Sequence, residues 1–218
     1  GSAVAKGLVG DSAQLGDGTG ASLVLNMTGA MEFQKAVKTA EGITQADAAG
    51  LVTFREDVTI AAGTTPSAFD GNVTLDGLTF TSAGDVTFGS DPANDTLTLA
   101  TAAVVVAAPN VTFDAKIAGG TQALTVNSDG VTAFNGVASN LGALETDADG
   151  STEIGANVTA ASMTFNDPVD LTASVTLTSA GQISFEQTLD GNFDLTLAGA
   201  GSAVAKGLVG DSAQLGDG

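Results

Sequence analysis

Cysteine, histidine, tryptophan and tyrosine are all missing from these 218 residues. Without cysteine there is no disulfide scaffold and no thiolate metal site. Without histidine the usual zinc ligand sets are gone too. Neither a Ser/His/Asp nor a Cys/His nucleophilic centre can be assembled. Basic residues are scarce as well: six Lys and Arg stand against 25 Asp and Glu, for a net charge of −19. That excludes the basic face that nucleic acid requires, and it disfavours an anionic membrane surface. No run approaches about 18 continuous apolar residues, so no transmembrane helix is expected. No signal peptide is visible either, and an export signal would lie outside this segment. Gly16-Asp17-Gly18-Thr19-Gly20 is Gly-rich but lacks the Lys of a phosphate loop. Paired carboxylates can cleave glycosides, yet there is no Trp or Tyr to serve as a sugar platform. The chain is expected not to be an enzyme, to need no cofactor and not to bind nucleic acid or insert into a membrane through this segment.

What is present is repetition. Residues 1–18 read GSAVAKGLVGDSAQLGDG, and residues 201–218 read the same letter for letter, an offset of 200. Such periods define the architecture of a repeat protein. Residues 1–200 are therefore read as one tandem-repeat period, and residues 201–218 as the start of the next identical one. A duplicated linker is the alternative, but Val4, Leu8, Val9 and Leu15 look like core positions. The second copy carries Lys206 against Asp211 and Asp217, a net −1, so the period itself holds a charge of −18.

Within the period, apolar residues alternate with Thr. Val52-Thr53-Phe54, Val58-Thr59-Ile60, Val73-Thr74-Leu75, Val86-Thr87-Phe88, Val111-Thr112-Phe113 and Val175-Thr176-Leu177 are short period-two strands. Gly, Asn-Asp, Asp-Gly and Asn-Gly between them supply turns. Of the ten Phe, seven are followed four residues later by Val, Ile or Leu: Phe33/Val37, Phe54/Val58, Phe69/Val73, Phe113/Ile117, Phe165/Val169, Phe185/Leu189 and Phe193/Leu197. Phe134 has Val137 one residue early, and Ile154/Val158 copies the pattern without Phe. Each unit reads as an inward Phe ending one strand, a three-residue polar corner such as Asn166-Asp167-Pro168, and an inward aliphatic opening the next strand.

The units recur. Phe33 to Phe54 and Phe113 to Phe134 are steps of 21 along the chain, while Phe134 to Ile154 and Phe165 to Phe185 are steps of 20. One coil of a β-solenoid needs this spacing. The expected fold is all-β, a parallel β-helix with coils of about 20–25 residues whose Phe stack into an inner ladder. One period would hold about 8–10 coils and rise about 40–50 Å at the interstrand spacing. Two β-sandwich domains are the rival, and the recurrence near 20 argues against them. Residues 35–50 lack clear alternation and read as a loop or short helix, either a solvated loop or a place for a lateral contact.

Gly120–Asn127 (GTQALTVN), Val131–Val137 (VTAFNGV), Leu144–Thr152 (LETDADGST) and Met163–Val169 (MTFNDPV) resemble the giant β-strand-repeat surface proteins of bacteria. In style they are similar to filamentous-haemagglutinin and autotransporter-passenger repeats, most closely over about residues 108–198. The resemblance implies a right-handed parallel β-helix, an extracellular or cell-surface location, and work as a fibre, stalk or adhesin. It transfers no catalytic residue.

Calcium is the one candidate ligand. Asp147-Ala148-Asp149-Gly150 has alternating carboxylates and Gly, and Asp91-Pro92-Ala93-Asn94-Asp95 is a second acidic turn. Asx turns at coil corners would place the same residues there. Asn26, Asn72, Asn94, Asn110 and Asn157 each begin an Asn-x-Thr sequence. Thr79/Thr81, Thr96/Thr98 and Thr176/Thr178 are too scattered for a flat Thr lattice. The expected function is a structural unit whose partner is itself, end to end and in lateral bundles. The alternative is an adhesin segment that binds a glycan through inserted loops at residues 35–50 or 89–95.

Overall fold

Val-Thr-Phe and Val-Thr-Leu triplets are too short to stand alone, and each is stabilised only by a similar neighbour above and below. A computed structural model describes residues 1–46, 50–210 and 215–216. Among the described residues there are 26 strands and no helix. All strand pairings are parallel, and they form a 17-stranded and a 9-stranded sheet. The chain is a β-solenoid of about nine turns, each coil giving a short strand to three faces in turn. The rival of two sandwiches is excluded, because sandwiches are built from antiparallel sheets.

On the first face Ala3, Met31, Val52, Val73, Leu97, Ile117, Ala138, Val158, Leu177 and Leu197 lie one above another. Coil length therefore varies over the nine coil-to-coil steps, from the short interval between Val158 and Leu177 to the long one between Ala3 and Met31. The second face begins at Val37–Thr39 and ends at Ala203–Ala205. The third runs from Leu23–Leu25 to Leu189–Asp190. Two long strands, Ala138–Thr146 and Val158–Phe165, bend across the first and second faces and merge them into the larger sheet.

Inward residues are closely buried. Phe54, Phe69, Phe80, Phe88, Phe113, Phe134, Phe165 and Phe185 are at most 1% exposed. Fully burying such a side chain is worth about 1.5–3 kcal/mol. The Phe do not form a single ladder. Phe33 stacks on Phe54 on the first face at 5.1 Å, Phe69, Phe88, Phe113 and Phe134 stack on the third at 5.2–5.8 Å, and Phe165 stacks on Phe185 on the second at 5.4 Å. This explains the irregular sequence intervals. The short steps from Phe54 to Phe69 and from Ile154 to Phe165 are changes of face, while the steps of 20 and 21 stay on one face. Phe80, on the second face, joins two ladders through edge-on contacts with Phe54, Phe69 and Phe88.

The Phe-corner-aliphatic unit holds at six of its seven sites, where Phe closes a strand and the fourth residue on lies in the next. At Phe134 the spacing is also four, since Ala138 is fully buried and Val137 is 45% exposed. Phe193 lies outside any strand, and Leu197 is exposed although it continues the inward column of Leu177. No described coil covers it on that face.

Residues 35–50 are not a helix and not a free loop. Val37–Thr39 and Ile43–Gln45 are strands of the second and third faces. The alternation is hidden in the sequence because inward positions are polar: Thr39, Glu41 and Gln45 are at most 1% exposed. Residues 47–49 of that segment lie outside the described residues.

Candidate functional site

A solenoid exposes backbone N–H and C=O groups only at its two ends, where a ladder has no further partner. The apolar surface gathers there too. Of the large hydrophobic residues that are exposed among the described residues, Val4, Leu8, Leu15, Val24 and Met27 lie at one end. Leu197, Val204, Leu208 and Val209 lie at the other, and only Leu51 and Val137 fall between. At the second end a cavity of about 350 Å³ opens over the core, lined by Phe185, Leu189, Leu195, Leu197, Val209 and Leu215.

The duplicated segment sits on this second end. Ala203–Ala205 pairs in parallel with Ile183–Phe185, and Val209 bridges to Leu189. Lys206 Nζ meets Glu186 Oε2 at 2.6 Å. The ion pair and the hydroxyl of Ser184 hold the Glu186 carboxyl below its ordinary pKa. The segment is held there by backbone hydrogen bonding in parallel register.

Backbone amides order the acidic turns, local ones at Asp91–Asp95 and one from the preceding coil at Asp147. Asp95 Oδ2 accepts the N–H groups of Ser90 and Asp91, each at 2.8 Å. Asp91 accepts the Asn94 side-chain amide at 2.6 Å and the Ala93 N–H at 2.8 Å, which lowers its pKa, the Asn94 bond contributing most. Asp147 Oδ1 accepts the Ser128 N–H at 3.0 Å, and Asp149 is exposed. Among the described residues, no three acidic side chains are brought together as metal ligands at either turn. The Asp91–Asp95 turn is nonetheless a true insertion. Phe88 leads to inward Leu97, nine residues on, where the next coil goes from Phe113 to Ile117 in four.

The Asn of the Asn-x-Thr sequences serve the corners. Asn72 Oδ1 accepts the Thr96 N–H at 2.9 Å, Asn110 Oδ1 that of Val131 at 2.8 Å, and Asn157 Oδ1 that of Thr176 at 2.7 Å. Each side chain stands in for a backbone carbonyl and ties an amide at the start of the next coil's strand, the first for Thr96 and Val131 and the second for Thr176. The spacing of about one coil between donor and acceptor is the signal in the sequence that could have revealed this.

Two buried carboxylates carry no signal in the sequence. Asp167 falls in a corner that reads as polar and solvated, but it turns inward and is 1% exposed. The Thr146 hydroxyl donates to its Oδ1 at 2.7 Å and Thr152 Oγ1 lies 2.8 Å from Oδ2. Burial raises its pKa against these bonds, and the nearby Asp147 charge adds to the rise. Glu41 is held oppositely: the Thr64 hydroxyl at 2.6 Å and the Thr65 N–H at 2.8 Å lower its pKa.

No protein-family model, no curated protein and no solved structure matches this chain.

Proposed function

We propose that the chain is the structural repeat unit of an extracellular bacterial rod, a stalk or fibre that gains length as periods stack end to end. The observation that carries this is the placement of residues 201–210. A sequence identical to the start of the first coil begins a further coil on the far end, Ala203–Ala205 in register with Ile183–Phe185 and Val209 bridged to Leu189. A period can thus be followed by another without a joint. Each unit touches only its neighbours, so length is added without new interactions having to be invented. The surface location rests on resemblance in style to bacterial strand-repeat proteins.

An adhesin reading has one observation in its favour, the inserted turn at Asp91–Asp95, whose Pro92, Ala93 and Asn94 are exposed. Negative-stain images of chains with one, two and three periods separate the readings. Straight rods that lengthen by about 45 Å per added period are expected, from about 4.8 Å per coil. Beads on a flexible string would overturn the structural reading. Glycan-array binding that disappears when the Asp91–Asp95 turn is shortened would put the adhesin in its place.

A further inference from the structure

The two copies of the duplicated segment do not occupy the same face. Ala3–Ala5 lies on the first face, beneath Met31–Phe33. Ala203–Ala205 lies on the second face, above Ile183–Phe185. The later residues agree. Val9 bridges to Val37 on the second face, and Val209 bridges to Leu189 on the third. The period from Gly1 to Ala200 is therefore nine coils and one face, not a whole number of coils.

Glycines in the segment carry a second sign. A Cβ on Gly201 would fall 1.5 Å from the Gly181 carbonyl oxygen, and one on Gly207 would fall 2.2 Å from that of Gln187. Their counterparts Gly1 and Gly7 have nothing within 4 Å. Lys206 is paired with Glu186, and its counterpart is Lys6. The features that matter in the second copy are close approaches to a coil that precedes it. The first copy carries the same features, facing open space.

We infer that the end formed by residues 1–18 is an interface for the far end of another period, and that each period is turned by one face relative to the one before. This rests on the end-to-end reading above. Gly1 then lies over Gly181 of the preceding period, Gly7 over Gln187, and Lys6 pairs with Glu186. First-face strands of one period continue on the third face of the next, and three periods restore the original facing. The register closes on this arrangement. The interval from Ala3 to Met31 is the same as that from Val9 to Val37. The same interval counted from Thr196 on the first face reaches the position of Val24 in the next period. Val24 is outward and 60% exposed, and Leu23 and Leu25 flank it as Leu195 and Leu197 flank Thr196. The consequence is geometric. The Asp91–Asp95 turn and every other surface feature wind around the rod in three directions, so lateral contacts are offered on all sides and not along one flat strip.

A two-period chain tests this, since the protein has no cysteine of its own. Outward neighbours on adjacent coils lie about 4.8 Å apart, within reach of a disulfide. Thr196→Cys in the first period combined with Val24→Cys in the second should cross-link nearly completely under mild oxidation. Asp190→Cys with the same Val24→Cys should stay largely reduced. A dominant Asp190 link would mean whole-coil periods and would overturn the rotation, leaving the end-to-end reading intact. If neither pair links, the rotation is also overturned. Solution scattering on the same chain then decides the larger question: one straight rod keeps the end-to-end reading, and two hinged rods overturn it.

Discussion

Asp167 shows how a single side chain is tuned by its place inside the wall. It is enclosed between Thr146 and Thr152, and desolvation raises its pKa above the ordinary carboxylate value of 3.8. The folded state then binds more protons than the unfolded state between 3.8 and the raised value. Stability from this group is therefore greatest at low pH, falls as pH rises through that window, and stays low above it. Asp167→Asn removes the charge, keeps an oxygen for one Thr hydroxyl and offers an amide to the other. The variant's melting temperature relative to the parent should accordingly be more favourable at pH 7 than at about pH 3.5. The difference between variant and parent cancels the surface carboxylates common to both. A difference that does not change with pH would show that Asp167 is not desolvated.

At the scale of the strand, stability lies in the stacked inner column. Phe113 is fully buried and is sandwiched between Phe88 and Phe134, at 5.8 and 5.2 Å. Phe113→Ala should cost about 3–5 kcal/mol, the range for truncating a buried aromatic, against about 0.5 kcal/mol or less for outward Thr112→Ala. Because coils touch only their neighbours, amide exchange should quicken first between about residues 86 and 134. Urea melts of both variants and exchange mapping of the first would check this. Equal costs for the two would mean that the ladder contributes nothing special. These strands were also the part most open to sequence reading. Phe and the aliphatic four residues on are large, apolar and in fixed phase, so coil, corner and spacing are legible in the sequence. The face of each ladder could not. The sequence shows only an interval, and the step from Phe54 to Phe69 or from Ile154 to Phe165 does not say that the chain has turned a corner. The strands at Val37–Thr39 and Ile43–Gln45 were hidden for another reason. Their Thr39 and Gln45, with Glu41 at the corner between them, place polar groups inside the wall, where Gln45 Nε2 donates to the carbonyls of Gly50 and Asn72. An apolar pattern cannot register such residues. At the ends the duplication pointed to continuation, but which face each copy takes is a matter of coil lengths summed over the whole period.

Over the whole molecule, in-register stacking multiplies whatever charge a position carries. On the third face Glu153, Asp170 and Asp190 follow one another on adjacent coils, and like charges directly opposite in a ladder are destabilising. The net charge of −19 leaves few cations to offset this, and several of those that exist are placed between coils. Arg55 bridges Glu32 and Asp76, Lys35 meets Glu56 at 2.7 Å, and Lys116 Nζ donates to the Ala93 carbonyl at 2.6 Å. These pairs are exposed and weak individually, so repulsion among carboxylates should dominate the response to salt. The Debye length falls from about 30 Å at 0.01 M to about 3 Å at 1 M. Rising sodium chloride should therefore raise the melting temperature, most steeply below about 0.15 M, where the screening length still exceeds the spacing between coils. If the stacked acids are a main source, Asp170→Asn should be more stable than the parent at low salt, and the gap should close as salt rises. Chains of two and three periods should show the same dependence with no change per period, because repulsion acts mainly between neighbouring coils once screening is in place. Calorimetry across the salt series checks both. A melting temperature that falls with salt would mean that the ion pairs of Arg55 and the lysines outweigh the stacked carboxylates, and that cohesion along the rod is electrostatic.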